Sequence, residues 1–327
     1  MLRYALKRIL MMIPILLAVT LIIFTLVYIT PGNPAELLLP DDATEEQIAM
    51  KEEELGLNDP FFVRYFDYVK GIVTRFDFGT SYTTGRSVTD EILVRFPTTI
   101  KLAVASIVVA MVLGVLCGVT SAVHQYTFFD NCAVVVSMLG VSMPNFWQGL
   151  LNILIFSVIL GWFPAIGIGG FKFWVLPALT IGTSSAANIM RMTRSTMLEV
   201  IRQDYIRTAR GKGQTERVIR YVHALRNAMI PIVTVIGNSF GSMLCGAVLT
   251  ESIFSIPGLG KLVVDAISVR NYPMVQGTVL FIAFIHAMVN LFVDLLYAAI
   301  DPRIRSRYEG AVRKKAPRIA KEAMKNE

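Results

Sequence analysis

The stretch RMTRSTMLEVIRQDYIRTARGKGQTERVIRYVHALR, Arg191 to Arg226, decides how the rest of the chain is read. It holds nine basic residues (Arg191, Arg194, Arg202, Arg207, Arg210, Lys212, Arg217, Arg220, Arg226) against three acids (Glu199, Asp204, Glu216), with long uncharged segments on both sides. So much charge does not sit in hydrocarbon. Leu198, Ile201, Tyr205 and Ala209 recur at helical spacing, which predicts an amphipathic helix. Gly211 and Gly213 then break it, because glycine tolerates the left-handed backbone that ends helices. Thr215 is placed to cap a second helix, Glu216 suits its positive dipole end, and Val218, Val222 and Leu225 supply an apolar stripe. The whole reads as a helix–glycine–helix hairpin held on the inner membrane face. A topology signal, or a basic helix resting on anionic lipid, accounts for the charge but not for glycines set between two stripes.

Outward from the hairpin, the composition is that of a membrane protein. The chain is 54% hydrophobic and 17% charged, against about 25% charged in ordinary soluble domains. Its net charge of +7 is no nucleic-acid footprint, since the basic residues cluster beside apolar spans. Arg3, Lys7 and Arg8 precede Ile9 to Ile29, an uncharged run of 21 residues. That run is too long for a signal peptide and lacks a small-residue cleavage site, so it is expected to be a retained span. Further spans are expected at Leu102–Val123, between Asp130 and an outer loop at 161–170, at about Trp174–Met190, at Asn227–Thr250 and at about Pro273–Ile300. An acidic segment at 31–98 carries a surface helix from Thr44 to Leu55 and an aromatic-rich stretch from Phe61 to Phe78. The domain reading is 1–30 (inner N-terminus and first span), 31–98 (outside), 99–300 (five-helix core with the hairpin 191–226) and 301–327 (basic tail). The basic N-terminus, hairpin and tail put both termini inside. The fold class is an all-α integral membrane protein with six transmembrane helices, N-in and C-in.

No catalytic constellation appears. Gly258-Leu-Gly-Lys261 superficially looks like a phosphate loop, but Ser255 and Leu262 occupy positions the Walker pattern reserves for Gly and Ser/Thr. Cys117, Cys132 and Cys245 read as packing residues, and no metal-ligand cluster is visible. Gly114/Gly118 and Gly237/Gly241 are small-residue pairs suited to close helix packing within the chain. Pro144 and Pro231 lie inside or at the ends of spans, where each can bend a helix. His286, Asn290 and Asp294 share one face of the sixth span. An intramembrane carboxylate raises the rival reading of a proton-coupled secondary carrier using Asp294; structural pairing is the larger expectation.

The run Asp204-Tyr-Ile-Arg-Thr-Ala-Arg-Gly-Lys-Gly213, continued as His223-Ala-Leu-Arg-Asn-Ala-Met-Ile-Pro231, resembles the coupling-loop signature of ATP-binding-cassette importer permeases, and most of all the branch that carries di- and oligopeptides or nickel. The general signature is Glu-Ala-Ala, three residues, Gly, nine residues, then Ile-x-Leu-Pro. Arg207-Thr208-Ala209 stand at Glu-Ala-Ala, and Ala209, Gly213 and Leu225 match. Gly56-Leu-Asn-Asp-Pro60, Asp77-Phe-Gly-Thr-Ser81, Ser142-Met-Pro-Asn-Phe146, Glu251–Gly260 and Arg270-Asn-Tyr-Pro273 resemble the branch as well, with Asn271 departing from its Asp. The resemblance covers Arg3 to Arg305. It implies the type I importer permease (MetI-like) fold in a bacterial or archaeal plasma (inner) membrane, in contact with lipid and with no nucleic acid. It implies no cofactor on this chain, ATP and Mg being used by two ATPase partners, together with a second homologous permease and an extracytoplasmic binding protein. Coupling to the ATPases falls on Glu199, Tyr205, Arg207, Thr208, Ala209, Arg210, Gly211, Lys212, Gly213, His223 and Leu225. Pro144, Asn145, Pro231 and Asp294 are the pathway or hinge residues. Peptide is the expected cargo, nickel or another small solute the alternative.

Overall fold

The computed structural model describes residues 2–40 and 42–300; the predicted basic tail, 301–327, lies outside them. The regular structure of the described residues is helical, apart from a lone antiparallel bridge between Thr80 and Ser87. In chain order the helices are α1 (Leu2–Ile29), α2 (Glu45–Glu54), α3 (Phe61–Arg75), α4 (Val88–Val123), α5 (Phe128–Ser142), α6 (Asn145–Asn152), α7 (Lys172–Ile201), α8 (Asp204–Gly211), α9 (Glu216–Val218), α10 (Leu225–Ile253), α11 (Leu259–Ser268) and α12 (Tyr272–Ile300). Two stretches of π-helix, Ile153–Ile159 and Ile219–Ala224, extend α6 and join α9 to α10.

Among the described residues, four helices are long and apolar enough to cross a membrane: Ala5–Ile29, Val88–Val123, Glu216–Cys245 and Tyr272–Leu296. The third expected span is not one straight rod. Phe128–Ser142 and Asn145–Ile159 meet at 107°, which makes a fifth crossing if the bent pair is one span. Pro144 stands at the break in an extended conformation, since its ring cannot continue the preceding helix. The fourth expected span is the middle of α7, whose 30 residues reach about 45 Å. It falls outside the strongly apolar set because it faces protein. It packs against α4, α5, α6 and α10, and its Thr180 and Thr193 are fully buried. A helix walled in by others can carry small polar residues that lipid would reject.

Glycines set the tightest contact. A Cβ on Gly114 would lie 2.7 Å from Ile189 Cβ, and one on Gly118 would lie 2.6 Å from Thr193 Cβ. From the facing side, a Cβ on Gly182 would come within 2.8 Å of the Ser106 carbonyl. Helices α4 and α7 therefore interlock through both partners' small residues. Gly237 packs likewise on Val293, so both glycine pairs serve packing inside the chain.

The acidic segment folds back on this bundle. Thr44 closes a capping box with Gln47 at the start of α2, and Gly56 leaves the helix with φ +63°. The aromatics of α3 pack on α1: Phe24 meets Phe61 and Tyr65 at ring distances of 5.3 and 5.6 Å, and Tyr65 Oη donates to the Leu17 carbonyl. Helix α4 starts at Val88, well before the uncharged run, so the end of the 31–98 segment is its first turns. Phe78, Val88 and Ile92 form a second core with Leu259 and Phe281.

Glu251 is fully buried at the end of α10. It accepts from Thr99 Oγ1 at 2.7 Å and from the Gly260 and Lys261 amides at 2.7 and 3.1 Å. A protein carboxylate therefore occupies the start of α11, where a phosphate loop would hold its anion. Gly258 is required there, because its Cβ would stand 2.2 Å from the Glu251 carboxylate.

Candidate functional site

The hairpin is built as the continuation of α7, a long helix enclosed by four others. Helix α7 runs to Ile201, Arg202 and Gln203 turn the chain, and α8 begins at Asp204, whose charge suits the first turn. Ile206 is fully buried and Ala209 packs beside it against the main core. Asp204, Tyr205, Arg207, Thr208 and Arg210 face out. This corrects the predicted stripe. Leu198, Ile201 and Ala209 do pack inward, but Tyr205 is 45% exposed and its neighbour Ile206 takes the buried place. The two-residue break after Ile201 rotates α8 relative to α7, so one helical phase cannot run through both.

The two glycines also differ in role. Gly211 is the last residue of α8 and has no left-handed backbone. Gly213 has φ +77°. Around it the Gly213 amide donates to the Arg210 carbonyl at 2.9 Å, and the Gln214 amide to the Ala209 carbonyl at 3.3 Å. Those two bonds are a Schellman C-cap with Gly213 at its left-handed position.

The return leg departs from prediction as well. Thr215 sits extended ahead of α9, in the predicted place, but its hydroxyl makes no capping bond. The π-helical turn then lengthens the repeat, and Ile219 and Ala224, five residues apart, are the fully buried pair. Val218 and Val222, assigned to the stripe on α-helical spacing, are 37% and 51% exposed, while Leu225 packs inward. Polar contacts pin the legs together. Arg210 Nε donates to Glu216 Oε1 at 2.7 Å and its Nη2 to Oε2 at 3.3 Å, with Arg220 also 3.7 Å from that carboxylate. The Glu216 hydrogen bond holds the Arg210 guanidinium above its ordinary value, so the pair stays ionised. His223 Nε2 bonds Gln214 Oε1 at 2.6 Å.

What the chain presents is a contiguous exposed surface from Arg202 to Val218, interrupted only by Ile206 and Ala209. It is rich in arginine and lysine and mounted on two helices that run into the core. Of the coupling residues predicted, Tyr205, Arg207, Thr208, Arg210, Gly211, Lys212 and Gly213 lie on its exposed side, and Glu199 is exposed just before it, in the last turns of α7. Ala209 and Leu225 anchor it from beneath, and His223 braces it. Ile206 and Gln214 were missed. Ile206 was detectable only by allowing a break after Ile201.

The residues expected at the pathway or a hinge separate. Pro144 and Asn145 stand at the 107° bend, whereas Pro231 lies within an unbroken α10. Asp294 pairs with Arg8 of α1 at 2.8 Å. His286 bonds the Gly241 carbonyl and Asn290, each at 3.0 Å. The predicted polar face of α12 is thus divided between two packing contacts.

Residues 110–306 match the model for the family described as binding-protein-dependent transport system inner membrane component, and residues 1–103 match that of its N-terminal companion. The chain belongs to this family. It is 42% identical to the dipeptide transport system permease protein DppB of Alkalihalophilus pseudofirmus, over 93% of this chain and all of that one. The glutathione transport system permease protein GsiC of Escherichia coli K12 is 40% identical over 93% of this chain and 99% of its own. Among solved structures, an inward-facing form of the MetNI methionine ABC transporter aligns with a TM-score of 0.56 at 17% identity, covering 64% of this chain and 96% of that one. That likeness concerns the fold. The chain is accordingly a multi-pass inner-membrane permease subunit of an ABC importer, and ATP hydrolysis belongs to partner subunits.

Proposed function

We propose that this chain forms half of the translocation pathway of an ATP-driven importer of di- and oligopeptides. In this reading it pairs with a second, homologous permease, two ATPases dock below the pair and engage the hairpin, and an extracytoplasmic binding protein delivers the cargo. Six spans run N-in and C-in, with α7 as the central fourth. The observation that carries the reading is the hairpin itself. Tyr205, Arg207, Thr208 and Arg210 are exposed on α8, with Lys212 exposed just beyond its end, while Ile206 locks that helix to the core that α7 and α10 share. A displacement of α8 by closing ATPases must therefore move the spans. Coupling also requires that the hairpin contact the two ATPase states differently. Peptide is preferred as cargo because relatives matched along their whole length are named for dipeptide and glutathione transport.

The test is affinity purification of the tagged chain from its native membranes in mild detergent, followed by peptide uptake in cells lacking their own peptide importers. Recovery of a second polytopic protein and P-loop ATPases, both lost with Gly213→Trp, is the expected result. Recovery of the chain alone, correctly folded, would refute the importer assembly. Uptake of chelated nickel with no uptake of peptides would refute the cargo.

A further inference from the structure

The helix that leads to the bend packs on α7 but buries few of its side chains. Among the 15 residues of α5, only Asp130 and Ser137 are buried. Val135, Val136, Met138 and Leu139 are all more than half exposed. At its far end α5 terminates at the Met143–Pro144 break. Near that end Gly140 approaches α7 only at ordinary contact distance, a Cβ there lying 3.7 Å from the Thr183 carbonyl. The near end is different. Asp130, 1% exposed, accepts from Arg194 Nε at 2.8 Å and Nη2 at 2.7 Å, from the Tyr126 amide at 2.9 Å and from the Ser121 hydroxyl. Arg194 Nε also reaches Ser121 Oγ at 3.1 Å. One carboxylate thus joins α4, the α4–α5 turn, α5 and α7. Bidentate charge-assisted pairs of this kind fix direction as well as distance.

Arg194 lies two turns before the end of α7, and only Arg202 and Gln203 separate α7 from α8. A shift of the hairpin therefore reaches Arg194 directly. Helix α4 must follow α7, because their glycines interlock. Helix α5 has no such interlock; its strong directional attachment to α7 is the ion pair. A rod fastened firmly at one end, loosely along its length, and hinged at the other is a lever.

We infer that Asp130 and Arg194 are positioning residues that deliver the hairpin's displacement to the bent α5–α6 segment. The inference rests on the hairpin reading proposed above, and it assigns a route inside the chain. Because a packed core is bistable rather than continuously deformable, transmission needs a fixed contact at the point of delivery.

The test uses the complete reconstituted complex, comparing ATPase turnover with and without substrate-loaded binding protein. Asp130→Asn keeps the shape and removes the charge. The double variant Asp130→Asn/Arg194→Gln removes both charges, which relieves the uncompensated arginine that the single variant leaves behind. Both complexes are expected to assemble with their ATPases and retain basal turnover, while stimulation by loaded binding protein falls about tenfold, within the range of ordinary allosteric coupling. A purely stabilising role predicts that the double variant recovers both thermal stability and stimulation. That recovery, or full stimulation in the single variant, would overturn the inference. A wild-type chain that recruits no ATPase would instead sink the assembly on which the inference rests.

Discussion

Gly213 and Gly211, two residues apart, should respond to the same substitution in opposite ways. Gly213 holds the left-handed position of the Schellman cap at φ +77°, yet a Cβ added there meets no atom within 4 Å. The cost of Gly213→Ala is therefore conformational and not steric, about 1–2 kcal/mol for an L-residue forced into this region. If ATPase docking requires the capped hairpin while the undocked chain can relax, that cost appears in the docking constant. At 1.4 kcal/mol per tenfold, the loss of affinity is about fivefold to thirtyfold. Asn, the residue that best tolerates left-handed backbone after glycine, should recover much of it. Gly211 also has open space around it but lies in the helix without a positive φ. Gly211→Ala should be neutral, or should strengthen the hairpin by up to about 1 kcal/mol through better helix propensity. Titration of the detergent-solubilised permease with purified ATPase, monitored by labelled binding, measures both. Equal docking by Gly213→Ala and wild type, or equal losses at the two glycines, would refute the argument. Thermal unfolding of the membrane core should be unchanged in all three variants, because neither residue touches it.

Three further outcomes follow from packing and pairing. Gly118→Val places its side chain into Thr193 and should destabilise the α4–α7 contact by about 1–3 kcal/mol, read as a lowered unfolding midpoint in detergent. Glu251→Ala leaves the Gly260 and Lys261 amides without their acceptor, at about 1–3 kcal/mol for each buried group left unsatisfied. Glu251→Gln keeps an acceptor oxygen and should cost less; equal losses in the same unfolding assay would show that the hydrogen bonds do not matter. Asp294→Asn should retain uptake, and uptake should survive collapse of the proton gradient while ATP is maintained, because Asp294 is held by Arg8 as a structural pair. Uptake that stops with the gradient at constant ATP would revive the carrier reading.

Much of this protein can be read from local pattern. The uncharged runs mark α1, α4, α10 and α12, since lipid selects on composition and composition is a property of the chain. Glycine at 213 and the break at Pro144 are equally local, because each reflects one residue's backbone preference. The exposed hairpin surface was legible for the same reason, since a charged stretch between two spans has to lie outside them.

The rest depended on which helix faces which. Helix α7 could not be recognised as a helix enclosed by others from a sequence that is merely less apolar than its neighbours, because burial against protein relaxes the demand for hydrocarbon-like side chains. The inward phase of the hairpin, with Ile206 in place of Tyr205 and Ile219 and Ala224 in place of Val218 and Val222, was set by a break and a π-turn that shift the repeat without leaving a compositional mark. Nor could the sequence pair Asp130 with Arg194, or Glu251 with the start of α11. The first pair is separated by 64 positions, and both are made only when distant segments arrive at one place. Spans, caps and charge placement were determined along the chain; the partners of its buried charges were decided by the tertiary structure, because desolvation leaves a buried carboxylate no alternative to the donors that the fold brings to it.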